Sequence, residues 1–200
     1  MPRSLAEGKA WISHVVTGLR PKSVLDVGPG QGTYSDLLRA CTPGACWSCV
    51  EIFAPYVGMF DLRRKYDEVH VADIRSFRWN GTFDVVILGD VLEHMVLSDA
   101  LDVWHAARAH AEHVVLSIPI VEYPQGAHHG NAHEAHLEVW DHEAVMTRLA
   151  GVRRWQRHTS IGVYLADGIT ATRVEERLVS RADPRTRSGV AATPARTGGG

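Results

Sequence analysis

The chain has 200 residues, of which 45% are hydrophobic and 22% are charged, and its formal net charge is −2. A chain of this length and composition can bury a sizeable core as one globular domain, without disulfides or a metal to hold it together. It has no apolar run long enough for a membrane span and no basic excess, which argues against a membrane protein and a general nucleic-acid binder.

The three cysteines, Cys41, Cys46 and Cys49, follow the spacing C-x4-C-x2-C. Three cysteines fit a reducing compartment better than a disulfide framework. The spacing also suggests zinc, but no fourth ligand accompanies it, and Cys49 lies inside an apolar run. We therefore interpret Cys49 as a plain buried thiol. Because the N-terminus also lacks a signal-peptide core, we expect the chain in the cytoplasm.

The first part of the chain predicts helices and strands in alternation. Residues 4–19 carry apolar side chains at helical spacing, which predicts an amphipathic helix. Residues 23–27 form a short apolar strand that ends at a glycine turn. A helix over residues 34–40, a second strand over 46–53 and a helix over 54–64 follow.

The alternation continues through the middle of the chain. Residues 68–72 predict a third strand, and residues 83–88 (FDVVIL) predict a fourth, which is the most clearly buried of the strands. Ser98 is expected to cap a helix that runs to about Ala111. A fifth strand over residues 113–118 comes next. Strands that alternate with helices predict a parallel sheet covered on both faces.

The last part of the chain has three distinct pieces. A long polar loop covers residues 120–140, and Asp141 is expected to cap a helix that reaches Ala150. Residues 153–159 and 162–166 then predict a closing antiparallel pair. We expect residues 1–168 to form one domain. Residues 169–200 are an arginine-containing tail, expected to be disordered apart from a possible short helix over 173–181.

A glycine-rich segment, VLDVGPGQGTY (24–34), follows the first predicted strand. Glycines at such a turn let the backbone bend sharply and approach a ligand, and the next helix presents its N-terminus to that ligand. A nicotinamide fingerprint would need G-x-G-x-x-G. This segment instead reads G-x-G-x-G, with Asp26 two residues before the first glycine.

This pattern resembles motif I of the class I S-adenosylmethionine-dependent methyltransferases, and later segments extend the resemblance. Glu51 closes the second strand about 25 residues after Asp26, where this superfamily has an acid for the ribose hydroxyls. Asp73 and Ile74 follow the third strand, where it uses an acid for the adenine amino group and an apolar residue for the ring. The segment FDVVILGDVLEHM (83–95) is similar to its fourth motif.

The resemblance implies a fold and a cofactor together. The fold is α/β, a Rossmann-like doubly wound sheet of seven strands in the order 3-2-1-4-5-7-6, with strand 7 antiparallel. The cofactor is S-adenosylmethionine, which would sit beyond the carboxyl ends of the strands, at the switch point between strands 1 and 4. The implied cofactor contacts are Asp26, Gly28, Pro29, Gly30, Gly32, Tyr34, Glu51, Ile52, Asp73, Ile74, Asp90 and Val91.

A second group of polar residues points to the methyl acceptor. Asp90, Glu93 and His94 stand at i, i+3 and i+4, so one helical turn would place them on one face. The loop after strand 5 contains HHGNAHEAHLEVWDH (128–142), and it leaves the same sheet edge as strand 4. We therefore expect Glu93, His94 and His136 to converge with Asp90.

Two chemistries are open to this group. Carboxylates and imidazoles suit a divalent cation such as Mg, Mn or Zn, with Glu93, His94, His136 and Asp90 as ligands. Without a metal, His136 or His133 would act as general base, with Glu134 as a further catalytic candidate.

The group resembles the metal site of small-RNA 2′-O-methyltransferases, where an E-x-x-E-H run is completed by a later histidine, and that of some ubiquinone-pathway O-methyltransferases. Here Asp90 replaces the first Glu, and the run from His136 to Trp140 matches the later piece only loosely. An L-E-H sequence also occurs widely in the superfamily without a metal, so both chemistries stay open.

The acceptor is expected to be a hydroxyl on a sugar or a secondary metabolite. Residues 117–124 (SIPIVEYP) and 131–136 resemble methyltransferases of glycan or antibiotic biosynthesis. The alternatives are a metal-dependent 2′-O-methyltransferase for an RNA end and a non-catalytic cofactor-binding subunit. The opening helix and the 120–140 loop would form most of the site for a small-molecule or glycosylated acceptor, unless a homodimer completes it. Trp104, Tyr123 and Trp140 are candidates for its apolar walls.

Overall fold

The computed structural model describes residues 6–127 and 130–169. Its helices are α1 Lys9–Leu19, α2 Thr33–Leu38, α3 Pro55–Met59, α4 Leu62–Lys65, α5 Leu97–Ala109 and α6 His142–Arg148. Its strands are β1 Ser23–Val27, β2 Cys46–Glu51, β3 Glu68–Val71, β4 Phe83–Gly89, β5 Ala111–Pro119, β6 Val152–Arg157 and β7 Ile161–Asp167. None of the helices in these ranges combines the length and apolar character that crossing a membrane requires.

The seven strands form one sheet in the order β3-β2-β1-β4-β5-β7-β6. Strands β1 to β5 pair in parallel, whereas β7 runs antiparallel between β5 and β6. The predicted fold class and strand order are therefore confirmed. From β1 the strands are added in one direction to β3, and from β4 they are added in the opposite direction. The connections after β1 and β4 therefore lead to opposite faces of the sheet, which leaves a crevice at the carboxyl ends of these two strands.

Two apolar cores sandwich the sheet because successive strand residues point to opposite faces. On β4, Val86 and Leu88 belong to the core that includes α5, whereas Val85 and Ile87 belong to the core that includes α1 and α2. All four side chains are fully buried. The apolar run predicted as the most clearly buried strand is therefore covered on both faces, as is typical of strands in a parallel sheet.

Several predicted element boundaries are wrong. The helix expected over residues 54–64 is two short helices, α3 and α4, separated at Phe60 and Asp61, and Asp61 has a φ of 52° that no α-helix tolerates. The opening helix begins only at Lys9, after Gly8 in the left-handed region. The helix and strand expected to meet near Ala111 instead meet at His110.

The two predicted helix caps have different outcomes. Ser98 is not a cap, because α5 starts at Leu97 after Val96, which makes no side-chain cap. Asp141 does cap α6: its carboxylate accepts a hydrogen bond of 2.7 Å from the backbone N–H of Ala144.

The remaining predictions concern thiols, tryptophans and the tail. Cys49 is buried as predicted, whereas Cys41 and Cys46 are exposed, and none of the three belongs to a ligand cluster within residues 6–127 and 130–169. Trp104 and Trp140 are core residues and not acceptor walls. From residue 170 onward, the arginine-containing tail and its predicted short helix lie outside the described residues.

Candidate active site

A cavity of about 320 Å³ lies at the carboxyl ends of β1 and β4, where the sequence predicted the cofactor. Segments that follow β1, β2, β3 and β4 line it, and described residues of the 120–140 loop, here called the cover loop, line one side. The predicted cofactor contacts all line this cavity except Asp26 and Gly32. The fold therefore brings together residues that are as far apart in sequence as Gly28 and His136.

The glycine loop after β1 takes a conformation that side chains disfavour. Gly28 and Gly30 have φ values of 62° and 52°, in the left-handed region. A Cβ atom on Gly28 would lie 3.0 Å from Cγ2 of Val91, so the loop packs tightly on the segment after β4. The backbone N–H of Gly28 also donates to the carbonyl of Val50, 2.9 Å away, which fixes the loop beside β2.

Asp26 is buried on β1 and does not line the cavity. Its side chain is fully buried, and its Oδ2 atom accepts a 2.6 Å hydrogen bond from the hydroxyl of Tyr66. Burial raises the pKa of Asp26 to about 7, although Tyr66 and the positive charge of Lys9 oppose the rise. Asp26 is therefore held by Tyr66 in the interior and does not line the cavity, which differs from the direct cofactor contact that the motif implied.

Glu51 ends β2 at the cavity wall. One carboxylate oxygen accepts a 2.8 Å hydrogen bond from the backbone N–H of Phe53. Burial raises the pKa of Glu51 to about 7, and the nearby negative charge of Glu134 adds to the rise. A carboxylate held in this way can accept hydrogen bonds from a pair of ribose hydroxyls, which is the role that the sequence predicted.

Asp73 follows β3 and is already paired. It accepts from the backbone N–H of Arg75 at 2.9 Å and forms an ion pair with its guanidinium at 2.6 Å. Hydrogen bonds from Arg75 chiefly, and the charges of Arg75 and His133 in addition, hold the pKa of Asp73 below its ordinary value. Arg75 also reaches Asp99 on α5 at 3.1 Å. Any contact between Asp73 and a ligand is therefore shared with Arg75, which the sequence did not predict.

Asp90 begins the segment after β4, with a φ of 58°. Its carboxylate accepts a hydrogen bond of 3.1 Å from the Ser117 hydroxyl, and its N–H donates to the Ser117 carbonyl at 2.8 Å. Because Asp90 is left-handed, the single helical turn predicted from Asp90 to His94 does not form. Only Leu92–His94 form a 3-10 helix. Asp90 also does not join the cluster that Glu93 and His94 form with His136.

The predicted convergence of Glu93, His94 and His136 is present. One ligand atom from each side chain lies within 4.8 Å of the others, and the two imidazole rings are 4.8 Å apart at an interplanar angle of 70°. Burial raises the pKa of Glu93 well above its ordinary value, and Asp90 adds to this. Burial and the neighbouring His94 lower the pKa of His136, which favours a neutral ring.

The cover loop separates the three residues predicted to be catalytic. Of these, His136 lies at the His94 end of the cavity, while His133 lies near Asp73. Glu134 accepts a 3.1 Å hydrogen bond from the buried hydroxyl of Tyr56, and its backbone carbonyl accepts from Gln125 at 2.7 Å. The cavity thus extends from Glu51 and Asp73, where the cofactor is expected, to His94 and His136, where the acceptor is expected, and these are here called the cofactor end and the acceptor end.

Besides Arg75, three further residues that sequence reasoning missed contribute to the site. Tyr56 and Gln125 hold the cover loop through Glu134. Lys9 of α1 donates a 2.7 Å hydrogen bond to the Tyr34 hydroxyl. Burial lowers the pKa of Lys9, while the nearby charges of Asp90, Asp26 and Glu93 oppose this. No motif marks these positions, because each depends on contacts between segments that are distant in sequence.

Comparison with known proteins identifies related sequences. A family model described as a methyltransferase domain matches residues 5–165. The tRNA (guanine-N(7)-)-methyltransferase of Burkholderia thailandensis is 31% identical over 108 residues, which are 50% of this chain and 37% of that protein. The chain therefore spans well under half the length of this curated relative.

Solved structures share the fold. The N-terminal domain of EvdMO1 with SAH bound has 14% identity and a TM-score of 0.60, with 82% of each chain covered. The same domain has also been crystallised in the presence of SAH and D-fucose. Magnesium protoporphyrin IX methyltransferase (ChlM) from Synechocystis PCC 6803, with bound SAM, has 21% identity and a TM-score of 0.56, with 80% of this chain and 76% of that chain covered.

Proposed function

Because this chain belongs to the family of methyltransferase domains, we propose that it transfers the methyl group of S-adenosylmethionine to a hydroxyl group of a small molecule. The acceptor that we propose is a sugar or a secondary metabolite. One observation carries this proposal: a single cavity joins the glycine loop, Glu51 and Asp73 at one end to Glu93, His94 and His136 at the other.

The residues at the cofactor end of the cavity support S-adenosylmethionine as the proposed cofactor. Gly28 and Gly30 give a ligand access to the backbone at the N-terminus of α2. Glu51 offers a carboxylate for ribose hydroxyls, and Ile74 offers an apolar surface for the adenine ring. Bound SAM and SAH in the fold neighbours support the same cofactor.

The residues at the acceptor end of the cavity support a hydroxyl group as the proposed methyl acceptor. In the reaction, a lone pair of the acceptor oxygen attacks the methyl carbon, the carbon–sulfur bond breaks, and its electron pair stays on sulfur. A hydroxyl is a weak nucleophile until its proton is removed or its pKa is lowered. Glu93, His94 and His136 can do this in two ways: an imidazole accepts the proton, or the three side chains hold a divalent cation.

The charge of the cavity favours a neutral acceptor over an RNA end. Its lining includes five carboxylates, on Glu51, Asp73, Asp90, Glu93 and Glu134. Among the described lining residues, Arg75 is the only lysine or arginine. Its guanidinium is already paired with two aspartates. Such a surface repels phosphates. A sugar acceptor also agrees with the fold neighbour that was crystallised with SAH and D-fucose.

Calorimetry and a transfer assay test this proposal. Titration of the full chain with S-adenosylmethionine and with S-adenosylhomocysteine should give saturable binding, and Glu51→Gln should weaken both. Glu143→Gln, on the exposed surface of α6, is the matched control. Methyl-labelled cofactor should then label members of a panel of neutral sugars and phenolic or alcoholic metabolites. Labelling of RNA alone, or no cofactor binding at all, would overturn the proposal.

A further inference from the structure

The carboxylate of Glu93 is buried without a partner. Glu93 is 2% exposed, and neither of its carboxylate oxygens has a hydrogen-bond partner among the described residues. A buried carboxylate with no donor is strongly destabilising unless it is neutralised by a proton or a cation. Asp26, Trp140 and His158 also carry a buried atom without a partner, but of these four described residues Glu93 alone lines the cavity, where a ligand can reach it.

We propose that Glu93, His94 and His136 bind a divalent metal ion at the acceptor end of the cavity. One carboxylate oxygen and two imidazole nitrogens form a ligand set that suits zinc and other divalent transition ions. Their ligand atoms lie within 4.8 Å of one another. In a tetrahedral zinc site, bonds of about 2.1 Å place the ligand atoms about 3.4 Å apart, so the most widely separated pair needs to close by up to roughly 1.4 Å on the ion.

The surrounding backbone holds the ligands in place. The Nδ1 atom of His94 lies 3.2 Å from the carbonyl oxygen of Ala135. A proton on Nδ1 donated to that carbonyl leaves the Nε2 lone pair free for an ion, which is the usual support for a histidine ligand. The N–H groups of Leu137 and Glu138 donate to the Glu93 carbonyl at 2.8 and 3.2 Å, so the two ligand-bearing segments are joined directly.

The charge of the cavity also favours a metal ion. Asp90 and Glu134 add negative charge around Glu93, and the partly buried Lys9 offsets this charge only in part. A divalent cation would neutralise part of this excess negative charge, which neutral imidazole rings cannot do. Three protein ligands leave coordination positions open, which is typical of catalytic and not of structural sites.

What the ion does rests on the proposed function. An acceptor hydroxyl beside a divalent cation has a lowered pKa, so its proton passes more readily to solvent water. The resulting oxyanion attacks the methyl carbon as the carbon–sulfur bond breaks. The ion is not consumed, and no electrons pass to or from it.

Metal titration of the full chain, purified without a histidine tag, tests this inference. Co²⁺ and Zn²⁺ would be added separately, in the absence of cofactor, and binding would be followed by calorimetry and by the visible absorption of Co²⁺. We expect one ion to bind, and we expect Glu93→Gln and His136→Ala each to weaken binding about tenfold or more. Failure of either ion to bind, or equal binding by these variants, would overturn the inference.

Two controls separate this site from the rest of the molecule. His105→Ala removes an exposed histidine from α5 and should leave metal affinity unchanged. A loss in that variant would assign the ion to the surface instead. Circular dichroism and thermal unfolding establish that Glu93→Gln folds, which we expect because the amide removes a charge that has no partner.

Cofactor binding distinguishes failure of this inference from failure of the proposed function. If S-adenosylhomocysteine binds and the metal ions do not, the proposed function stands and the metal site is wrong. If the metal ions bind and the cofactor does not, the metal site stands and the proposed function is wrong.

Discussion

The ring of Tyr34 occupies the space that a side chain at Gly89 would need. A Cβ atom on Gly89 would lie 2.1 Å from Cε2 of Tyr34 and 3.0 Å from its hydroxyl oxygen. Tyr34 belongs to α2, which follows the glycine loop, and Gly89 ends β4. The contact therefore joins the segment after β1 to the end of β4. Lys9 holds the Tyr34 ring in place by donating a hydrogen bond to its hydroxyl.

Gly89→Ala should destabilise the domain and weaken cofactor binding. The added methyl group forces the buried Tyr34 ring to move, and overpacking of this kind typically costs about 1–3 kcal/mol. Urea denaturation should detect the loss in the free energy of unfolding. Because Tyr34 also lines the cavity, calorimetry with S-adenosylhomocysteine should show weaker binding.

Gly18→Ala is the matched control for this substitution. A Cβ atom on Gly18 meets nothing within 4 Å, and the residue lies near the end of α1. Alanine has the higher helix propensity, so this variant should be unchanged or more stable by up to about 1 kcal/mol, with normal cofactor affinity. If both variants behave alike, the Tyr34 contact does not constrain Gly89.

Cofactor affinity should rise with pH. The pKa of Glu51 is raised to about 7, and hydrogen bonds from ribose hydroxyls favour its charged form. Binding then releases a proton below pH 7, and affinity increases by at most about tenfold for each pH unit up to that pKa. Calorimetry with S-adenosylhomocysteine from about pH 5.5 to 8, in buffers of different ionisation enthalpy, measures both effects. Glu51→Gln should flatten the profile, and a profile that stays unchanged would contradict a ribose contact.

Glu134→Gln should shift this profile and not abolish turnover. The negative charge of Glu134 contributes to the raised pKa of Glu51, so its removal should move the rise in cofactor affinity to lower pH. Tyr56→Phe removes the hydrogen bond to Glu134 but keeps the charge, so it should leave the midpoint in place. A large fall in kcat at saturating cofactor, with no shift in the binding profile, would instead favour the catalytic role expected from sequence.

The fold was predictable because its signals are local and repeated. The apolar run of β4, the glycine turn after β1 and the spacing of acids after successive strands each depend on a few neighbouring residues. The glycine turn and the acids carry the resemblance to class I methyltransferases, which implied the strand order, and both the order and the family were confirmed. Element ends were less predictable, because a backbone break such as the one at Asp61 has no distinct sequence signal.

The candidate site was only partly predictable. Glu93, His94 and His136 were expected to meet because strands 4 and 5 are neighbours, and they do. Asp90 was expected to join them on a helical turn, but its left-handed backbone and its bond to Ser117 direct its carboxylate elsewhere. The pairing of Tyr56 with Glu134 crosses 78 residues of sequence and has no motif to announce it.

Asp26 should make the domain less stable as pH rises from about 4 to 7. Its folded pKa of about 7 lies above its ordinary value of 3.8, so between these values the folded chain keeps a proton that the unfolded chain releases. Stability from this group is therefore complete at low pH and is lost as pH rises through 7. The shift corresponds to at most about 4 kcal/mol.

Asp26→Asn tests this pH dependence, with Tyr66→Phe as its companion. The free energy of unfolding, measured by urea denaturation from about pH 5 to 8, should fall less steeply in Asp26→Asn than in the wild type, because an amide does not ionise. Tyr66→Phe removes the 2.6 Å hydrogen bond that stabilises the charged carboxylate, so the loss should deepen by about 1–3 kcal/mol at high pH. Parallel curves for the wild type and Asp26→Asn would mean that Asp26 titrates normally in the folded chain.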